Sequence, residues 1–279
     1  VTPAGALPGD TTLTIRPDLA ITTTDLEDGV ERRPYTKIVR ATGGSLDSGQ
    51  FLAPAGCQLT AGAFPPNLAI AVNADNVTCL ISPNLADATL GSYSLTVRLV
   101  DTPILDGVTG DTVTPAATVP TDPNSQKPFT LTVRPDLAIT TTDLEDGVEL
   151  RTYNKIVRGT GGSLAAGQQL GGYALSGAPF IPANLEIKIN PLPFAPGGDP
   201  AFTTLELYPS FAAGTAGNYT MTVTMRDTPI TDLDTGDTVT PMSTEVTDPN
   251  SQKVFSLTIQ PALSITSTDL EDGVQRRSY

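Results

Sequence analysis

Clustered carboxylates are the residues of this sequence whose types and spacing best suit a chemical role. Calcium takes about six to eight hard oxygen ligands, and carboxylates a few positions apart can supply several of them. The sequence therefore predicts calcium as a cofactor at the junctions between repeats, with the candidate ligands Asp25, Glu27, Asp28, Asp143, Glu145, Asp146, Asp232, Asp234 and Asp237. The alternative is that these acids lie in solvated loops, where Asp side chains often accept hydrogen bonds from their own turn.

Four further acids are expected near the same junctions, and they are Asp101, Asp122, Asp227 and Asp248. The segment 232–237 has the spacing most typical of a calcium loop, because its acids alternate with other residues. Its counterpart at 106–111 lacks the middle carboxylate, and this difference weakens the calcium interpretation of the loop.

No residue pattern in the chain supports catalysis. The sequence contains no His, so Ser-His-Asp and Cys-His machinery is excluded, as is His-ligated zinc. The Gly-x-Ser-x-Gly pattern does not occur, and no helix is expected after Gly43-Gly44-Ser45 that could bind phosphate. Pairs of acids occur throughout this acidic chain, so their spacing does not indicate glycoside hydrolysis. We therefore predict that the protein is not an enzyme.

The charge and hydropathy of the chain exclude two kinds of partner. A net charge of −14 at pH 7 would repel nucleic-acid phosphates. The sequence has no uninterrupted apolar run long enough to span a bilayer, so we predict no membrane insertion within it.

The two cysteines, Cys57 and Cys79, lie in the same copy of an internal repeat and have no counterparts in the other copy. Disulfide bonds form and persist in exported proteins. A disulfide between the two cysteines is therefore the first expectation for an extracellular chain, and a pair of buried free thiols is the alternative.

A long internal repeat is the main feature of the sequence. Residues 13–46 and 131–164 differ at five of 34 positions, and residues 257–279 begin the same pattern a third time. The eight-residue difference in length between the first two copies falls in their middle segments, 47–90 and 165–216. Self-similarity at a fixed period predicts an array of structural units.

We divide the chain accordingly into repeat 1, residues 17–134, and repeat 2, residues 135–260. Residues 1–16 match the closing strand of a preceding repeat, and residues 261–279 match the opening strand of a third, incomplete one. A lone strand buries too little surface to be stable. We therefore expect the sequence to be part of a longer protein, or its end strands to be completed by neighbouring chains.

Alternating apolar and polar residues predict strands at 93–99, 129–133, 219–225 and 255–259. This period of two places one face of each strand in a core and the other in water. Clusters of Gly, Pro and Asn separate the strands and predict turns. Several short strands in each repeat indicate an all-β fold of tandem immunoglobulin-like β-sandwiches in an elongated array.

Residues that recur in both repeats carry a family resemblance. In repeat 1 they are Asp28-Gly29-Val30, Tyr35, Thr42-Gly43-Gly44, Gly91, Tyr93, Val97, Asp101 and 129–133. This pattern resembles the immunoglobulin-like, cadherin-like tandem repeats of prokaryotic cell-surface proteins. The resemblance implies an extracellular, modular protein of the stalk or adhesin kind, and it implies no ligand. Tyr93 and Tyr219 also resemble the corner tyrosine of immunoglobulin-like domains, whose hydroxyl caps a turn.

These observations predict a structural subunit or segment of an extracellular fibre, filament or surface stalk. Its partners would be copies of itself or further repeats of the same polypeptide. The rival hypothesis is an adhesin that binds carbohydrate or a surface protein through the middle segments 47–90 and 165–216. Aromatic rings in these segments could stack on sugars, and the candidates are Phe51, Phe64, Tyr173, Phe180, Phe194, Phe202, Tyr208 and Phe211.

Overall fold

The computed structural model describes residues 14–87, 89–178, 180–193 and 200–267. Most of the two predicted end fragments, 1–16 and 261–279, lies outside the described residues. Among the residues that are described, no helix is long and apolar enough to cross a membrane.

The contacts within the chain define two compact units. The first unit comprises residues 1–137, 161–169 and 227–249, and the second comprises residues 138–160, 170–226 and 250–279. Three segments of repeat 2, 135–137, 161–169 and 227–249, thus belong to the first unit. The contact units therefore differ from the sequence repeats, whose boundaries at 134 and 260 stay a prediction.

Most of the first unit is formed by repeat 1. Its strands are β1 (Ala20–Ile21), β2 (Gly29–Val30), β3 (Lys37–Val39), β4 (Ala41–Thr42), β5 (Leu52–Ala61), β6 (Leu68–Val72), β7 (Cys79–Pro83), β8 (Gly91–Asp101), β9 (Ile104–Leu105), β10 (Thr112–Thr114) and β11 (Gln126–Arg134). Short 3-10 turns at Leu46–Ser48 and Pro123–Ser125 connect them.

The later strands are β12 (Ala138–Ile139), β13 (Gly147–Val148), β14 (Lys155–Thr160), β15 (Leu170–Ala178), β16 (Leu185–Ile189), β17 (Thr204–Pro209), β18 (Gly217–Asp227), β19 (Ile230–Thr231), β20 (Thr238–Thr240) and β21 (Gln252–Gln260). Two more 3-10 turns lie at Gly162–Ala166 and Pro249–Ser251.

The first unit is a sandwich of two sheets. One sheet has the order β2-β11-β8-β5, in which only the β2–β11 pair is parallel. The facing strands are β3-β7-β6, and β4, which follows β3 after Arg40, pairs with β1. A split first strand that joins both sheets, with the last strands paired beside it, is the immunoglobulin-like arrangement.

The core of the first unit lies between these sheets and follows from the period of two. Leu95, Val97 and Leu99 of β8 are at most 2% exposed, whereas the residues between them are half-buried. Cys79 and Ile81 of β7 are fully buried in the same cluster. The alternation in the sequence therefore positions the two sheets with their apolar faces together.

The second unit has the same architecture. Its sheets have the orders β13-β21-β18-β15 and β12-β14-β17-β16, and β13 pairs in parallel with β21. The rings of Tyr153 and Phe211 pack in its interior with centroids 4.8 Å apart. The prediction of an all-β fold with tandem immunoglobulin-like sandwiches is thus confirmed, because all described elements are strands or short 3-10 turns.

The corner tyrosines are also confirmed. The Tyr93 hydroxyl donates to the carbonyl oxygen of Thr89 at 2.8 Å, and the Tyr219 hydroxyl donates to that of Thr215 at 2.7 Å. Each bond closes the turn that leads into the long strand β8 or β18.

Candidate functional site

The hairpin β19–β20 is one of the segments of repeat 2 that belong to the first unit. Ile230 and Val239 are 4% and 1% exposed, and Val239 belongs to the hydrophobic core of that unit. The backbone N–H of Thr36 donates to the carbonyl oxygen of Val239 at 2.9 Å. The hairpin therefore packs as an integral part of the first unit.

Arg33 is the central residue of this packing. Its Nε and Nη2 atoms donate to the carboxylate of Asp248 at 2.9 and 2.6 Å. Nη2 and Nη1 donate to the carboxylate of Asp227 at 2.9 and 3.1 Å, and Nη1 also donates to the carbonyl oxygen of Pro241 at 3.0 Å. All five N–H donors of the guanidinium are thereby used. The side chains of Arg33, Asp227 and Asp248 are 0% exposed.

Backbone N–H groups hold the Asp227 carboxylate in the orientation in which it accepts from Arg33. It accepts hydrogen bonds from the N–H of Ser163 at 2.6 Å and from that of Ser243 at 2.8 Å. Burial alone would raise the pKa of this carboxyl, but hydrogen bonds and charge from Arg33 outweigh burial, so its pKa lies below the ordinary value. Asp227 is therefore held as the carboxylate.

Asp248 is held in a similar way on the other side of the guanidinium. It accepts from the N–H of Leu137 at 2.8 Å and from the Thr247 hydroxyl at 2.7 Å. The Arg33 guanidinium thus lies between two carboxylates, and its hydrogen bonds to both offset the cost of removing the three ions from water.

A second buried ion group surrounds Lys37. Its ammonium lies 2.7 Å from the carboxylate of Glu27 and 3.0 Å from that of Asp232, and the Lys37 side chain is 0% exposed. Burial would raise the pKa of Asp232, but the hydrogen bond from Lys37 helps to lower it below its ordinary value. Arg40 lies 3.4 Å from the same carboxylate. We call the two groups together, with Arg33, Lys37, Glu27, Asp227, Asp232 and Asp248, the ionic joint.

The other acids of the hairpin loop contact the first unit at its surface. Asp234 accepts hydrogen bonds from the N–H of Thr24 at 3.2 Å and from its hydroxyl at 2.9 Å. Asp237 lies 3.7 Å from a guanidinium nitrogen of Arg40. These carboxylates are thus engaged by protein groups.

The predicted calcium ligands of the first junction are brought together only in part. Glu27 and Asp232 do converge, but the cation between them is the Lys37 ammonium, which the sequence prediction left out. Asp25 is exposed, and Asp28 forms an ion pair with Arg134 at 2.7 Å. Among the residues that the structure describes, no group of three or more His, Cys, Asp or Glu side chains is arranged to hold a metal ion.

The corresponding acids of the second unit are exposed. Glu145 forms an ion pair with Lys155 at 2.8 Å, and Asp143 accepts a hydrogen bond from the Thr142 hydroxyl at 3.1 Å. Asp146 is exposed and belongs to no group of metal-binding side chains among the described residues. Calcium at these acids stays a prediction.

Arg32, the neighbour of Arg33, forms a further bridge within the first unit. It lies 2.7 Å from the carboxylate of Asp136 and 2.8 Å from that of Asp87. Burial raises the pKa of Asp136 to about 6, although the charge of Arg32 opposes this shift. Asp136 thus differs from Asp227, in which the arginine outweighs burial.

Cys57 and Cys79 form a disulfide bond, with their Cα atoms 5.8 Å apart. The bond ties β5 of one sheet to β7 of the facing sheet. No other cysteine occurs in the sequence, so this cross-link is confined to the first unit.

The aromatic residues of the two middle segments differ in exposure. Phe51, Phe180, Tyr173 and Phe202 are 52%, 59%, 43% and 40% exposed. Phe211 is only 1% exposed, so it is a core residue and not a candidate for sugar stacking.

Three other candidates in these segments are less available or not described. Phe64 packs against the core of the first unit, and the ring of Tyr208 lies under the Lys188 ammonium at 3.8 Å. Phe194 lies outside the described residues.

The sequence interpretation missed Arg33 and Lys37 as the residues that the acids surround. Both recur at the same places of repeat 2, as Arg151 and Lys155, beside the buried Tyr153. No local signal distinguishes Arg33 and Lys37, because in the same sequence context Arg151 is exposed and Lys155 is half-buried.

Comparison with solved structures finds distant likenesses. No protein-family model matches the chain, and no curated protein matches it in sequence. An I-band fragment of titin is 8% identical, with a TM-score of 0.30 over 89% of this chain and 67% of that one. The human desmocollin-1 ectodomain is 10% identical, with a TM-score of 0.38 over 88% of this chain and 42% of that one.

An endo-fucoidan hydrolase from glycoside hydrolase family 107 is 15% identical, with a TM-score of 0.28, and the match covers 86% of this chain. The chain spans only 28% of that enzyme's length. At these identities and TM-scores we draw no inference about activity. The immunoglobulin-like or cadherin-like assignment rests on the strand order of each unit, and membership of the prokaryotic surface-repeat family stays a prediction.

Proposed function

We propose that the chain is a structural segment of an extracellular fibre, filament or surface stalk built from repeated immunoglobulin-like domains. The observation that carries the proposal is the buried pairing of Arg33 with Asp227 and Asp248. Removing one partner of a buried ion group costs about 3–5 kcal/mol, because it leaves an uncompensated charge. A contact of this kind resists opening, which suits a module that spaces or links under load.

Three features support the same proposal. The two repeats keep near-identical frames, which suits an assembly that uses one contact many times. The Cys57–Cys79 disulfide fits an oxidising, extracellular compartment. The ionisable groups of the joint are all engaged in packing, so the proposed role is mechanical and not catalytic.

Electron microscopy of the native material, with image averaging, tests the proposal. We expect regular filaments or stalks whose axial repeat matches one or two β-sandwich units. Isolated particles without any axial repeat, in native material and in concentrated purified protein alike, would contradict it.

A second candidate function is adhesion through the middle segments. The observation that favours it is the exposure of Tyr173, Phe180 and Phe202 in segment 165–216. Exposed rings bind sugars by stacking, with polar groups around them setting specificity. A glycan array probed with the wild type and with the Tyr173→Ala/Phe180→Ala variant tests it, with Val254→Ala, at an exposed apolar residue outside both middle segments, as the control. Sugar binding that is lost only in the double variant would favour adhesion, and no binding to any glycan would remove carbohydrate from consideration.

A further inference from the structure

Repeat 1 contains the acid half of the ionic joint without the arginine. Asp101 occupies the place that Asp227 occupies in repeat 2. It accepts hydrogen bonds from the N–H of Ser45 at 2.6 Å and from that of Ala117 at 2.7 Å. The same two hydrogen bonds, from equivalent positions, orient Asp227 towards Arg33.

Asp122 repeats the arrangement of Asp248. It accepts from the N–H of Leu19 at 2.9 Å and from the Thr121 hydroxyl at 2.7 Å. Asp248 has the same two kinds of donor at 2.8 and 2.7 Å. Both carboxylates of repeat 1 are therefore preorganised in the geometry that binds a guanidinium elsewhere in the same molecule.

A cavity of about 450 Å³ opens between these two carboxylates. Its wall includes Asp101, Asp122 and Pro115, and Pro115 is the counterpart of Pro241, whose carbonyl oxygen accepts from Arg33. We call this cavity the acid pocket. Its wall thus contains the counterparts of the three residues that Arg33 contacts, together with the exposed Arg16.

The hairpin of repeat 1 is exposed where the hairpin of repeat 2 is buried. Val113 is 64% exposed, whereas its counterpart Val239 is 1% exposed. Asp106, the counterpart of Asp232, is half-buried and accepts hydrogen bonds only from its own loop among the described residues. A valine that packs against a β-sandwich in one copy is thus exposed in the other, and the neighbouring carboxylate keeps only contacts within its own loop among the described residues.

Of the two complementary cations in repeat 2, Arg151 is exposed and Lys155 is half-buried. Arg151, the counterpart of the fully buried Arg33, is exposed. The turn that presents it is the same in both repeats, because Arg32 and Leu150 have positive φ angles of 61° and 60°. Lys155 pairs with Glu145 as Lys37 pairs with Glu27. We call the surface around Arg151 and Lys155 the basic face.

We infer that the acid pocket of one molecule binds Arg151 of a second copy of this chain, with the β9–β10 hairpin packed on the basic face. The occupant is a second copy because each half of the contact matches the joint that the same sequence forms within the first unit. The two halves lie on different repeats, so the contact is heterologous and adds molecules head to tail. The inference rests on the proposed structural function and deepens it by naming the residues that would link molecules.

Sedimentation velocity on the purified protein over a range of concentrations tests the inference. We expect the wild type to associate reversibly, and we expect Arg151→Ala to associate about thirtyfold or more weakly, because it leaves the two acids unpaired. Arg226→Ala, at another exposed arginine, is the matched control and should associate like the wild type. Both substituted side chains are exposed, so folding is not at stake.

A mixing experiment tests the head-to-tail geometry. Arg151→Glu keeps the acid pocket, and Asp122→Lys keeps Arg151 but places a cation in the acid pocket, so each variant alone should be monomeric. An equimolar mixture should form dimers and no larger species, since only one productive contact remains. A wild type that stays monomeric at all concentrations, an Arg151→Ala protein that associates like the wild type, or a mixture that stays monomeric would each overturn the inference.

These outcomes separate the inference from the proposed function. Filaments in native material combined with unchanged association of Arg151→Ala would remove this contact and leave the structural function standing. Arginine-dependent dimers in the mixture, with no axial order in native material, would keep the contact and remove the filament.

Discussion

Arg33 and Asp227 are 194 positions apart in sequence, yet their side chains form a bidentate pair with N–O distances of 2.9 and 3.1 Å and no exposure to solvent. Arg33 follows the short strand β2, and Asp227 ends the long strand β18 of the other repeat. Because this ion pair joins residues so far apart in sequence, the folding of the first unit depends on residues near the C-terminal end of repeat 2.

Replacing Arg33 by Ala should destabilise the first unit by about 3–5 kcal/mol, because Asp227 and Asp248 would remain buried without a counter-ion. Urea denaturation, followed by circular dichroism at low protein concentration, measures this change. Arg151→Ala is the matched control, since it occupies the same place in the other repeat but is exposed. Equal stability of the two variants would show that the buried pairing contributes nothing.

Replacing Gly162 by Ala should weaken the same pairing. A Cβ atom at this position would lie 2.3 Å from an Asp227 oxygen and 2.9 Å from Arg33 Nη2, and the backbone φ is +54°. Gly167→Ala is the control, because its φ is +84° but nothing lies within 4 Å of the added atom. Thermal unfolding should show a larger loss for Gly162→Ala, and a similar loss in both would mean that only the backbone conformation matters.

The joint should lose stability in acid. The pKa values of Asp227 and Asp232 are lowered in the folded state, so their contribution is complete above the ordinary aspartate value of 3.8 and is lost as the pH falls below it. Unfolding free energies measured from about pH 7 down to about pH 3 should fall steeply at the acid end. An Asp227→Asn variant should be less stable near neutral pH and should show a shallower fall.

Asp136 should act in the opposite direction. Its pKa is raised from 3.8 to about 6 by burial, beside the charges of Arg32, Asp248, Glu31 and Arg33. The folded state therefore binds more protons than the unfolded state between these values, and the contribution of Asp136 decreases as the pH rises through them. The unfolding free energy of the wild type minus that of Asp136→Asn, measured by urea denaturation, should fall as the pH rises through this window. A rise of this quantity with pH would place the pKa of Asp136 below 3.8.

The disulfide should stabilise the first unit alone. Cys57 and Cys79 enclose a loop with a sequence separation of 22, for which chain-entropy estimates give about 3 kcal/mol. A Cys57→Ser/Cys79→Ser variant should lower the unfolding temperature of one transition in calorimetry, and a reductant should lower it in the wild type only. A change in every transition would indicate that the units do not unfold separately.

The sequence was sufficient to predict the sandwich, because alternation in β8 and β18 and the corner tyrosines Tyr93 and Tyr219 are local signals. It was not sufficient to predict the hairpins, since β9 and β19 are two residues long and have no periodicity. The partner of the acids was missed for a different reason. Clustered carboxylates show that a cation is needed, but only the folded chain shows that Lys37 and Arg33 supply it.

Two residue differences between the repeats should make the proposed contact between molecules weaker than the ionic joint within one molecule. Asp234 accepts two hydrogen bonds from Thr24, but its counterpart in repeat 1 is Val108, which can accept none. Arg32 bridges to Asp136, but its counterpart in repeat 2 is Leu150. A bond between molecules would therefore be weaker than the joint within one molecule. Under tension, an assembly of such molecules would break at the contacts between molecules, and each subunit would stay folded. The broken ends could then associate again.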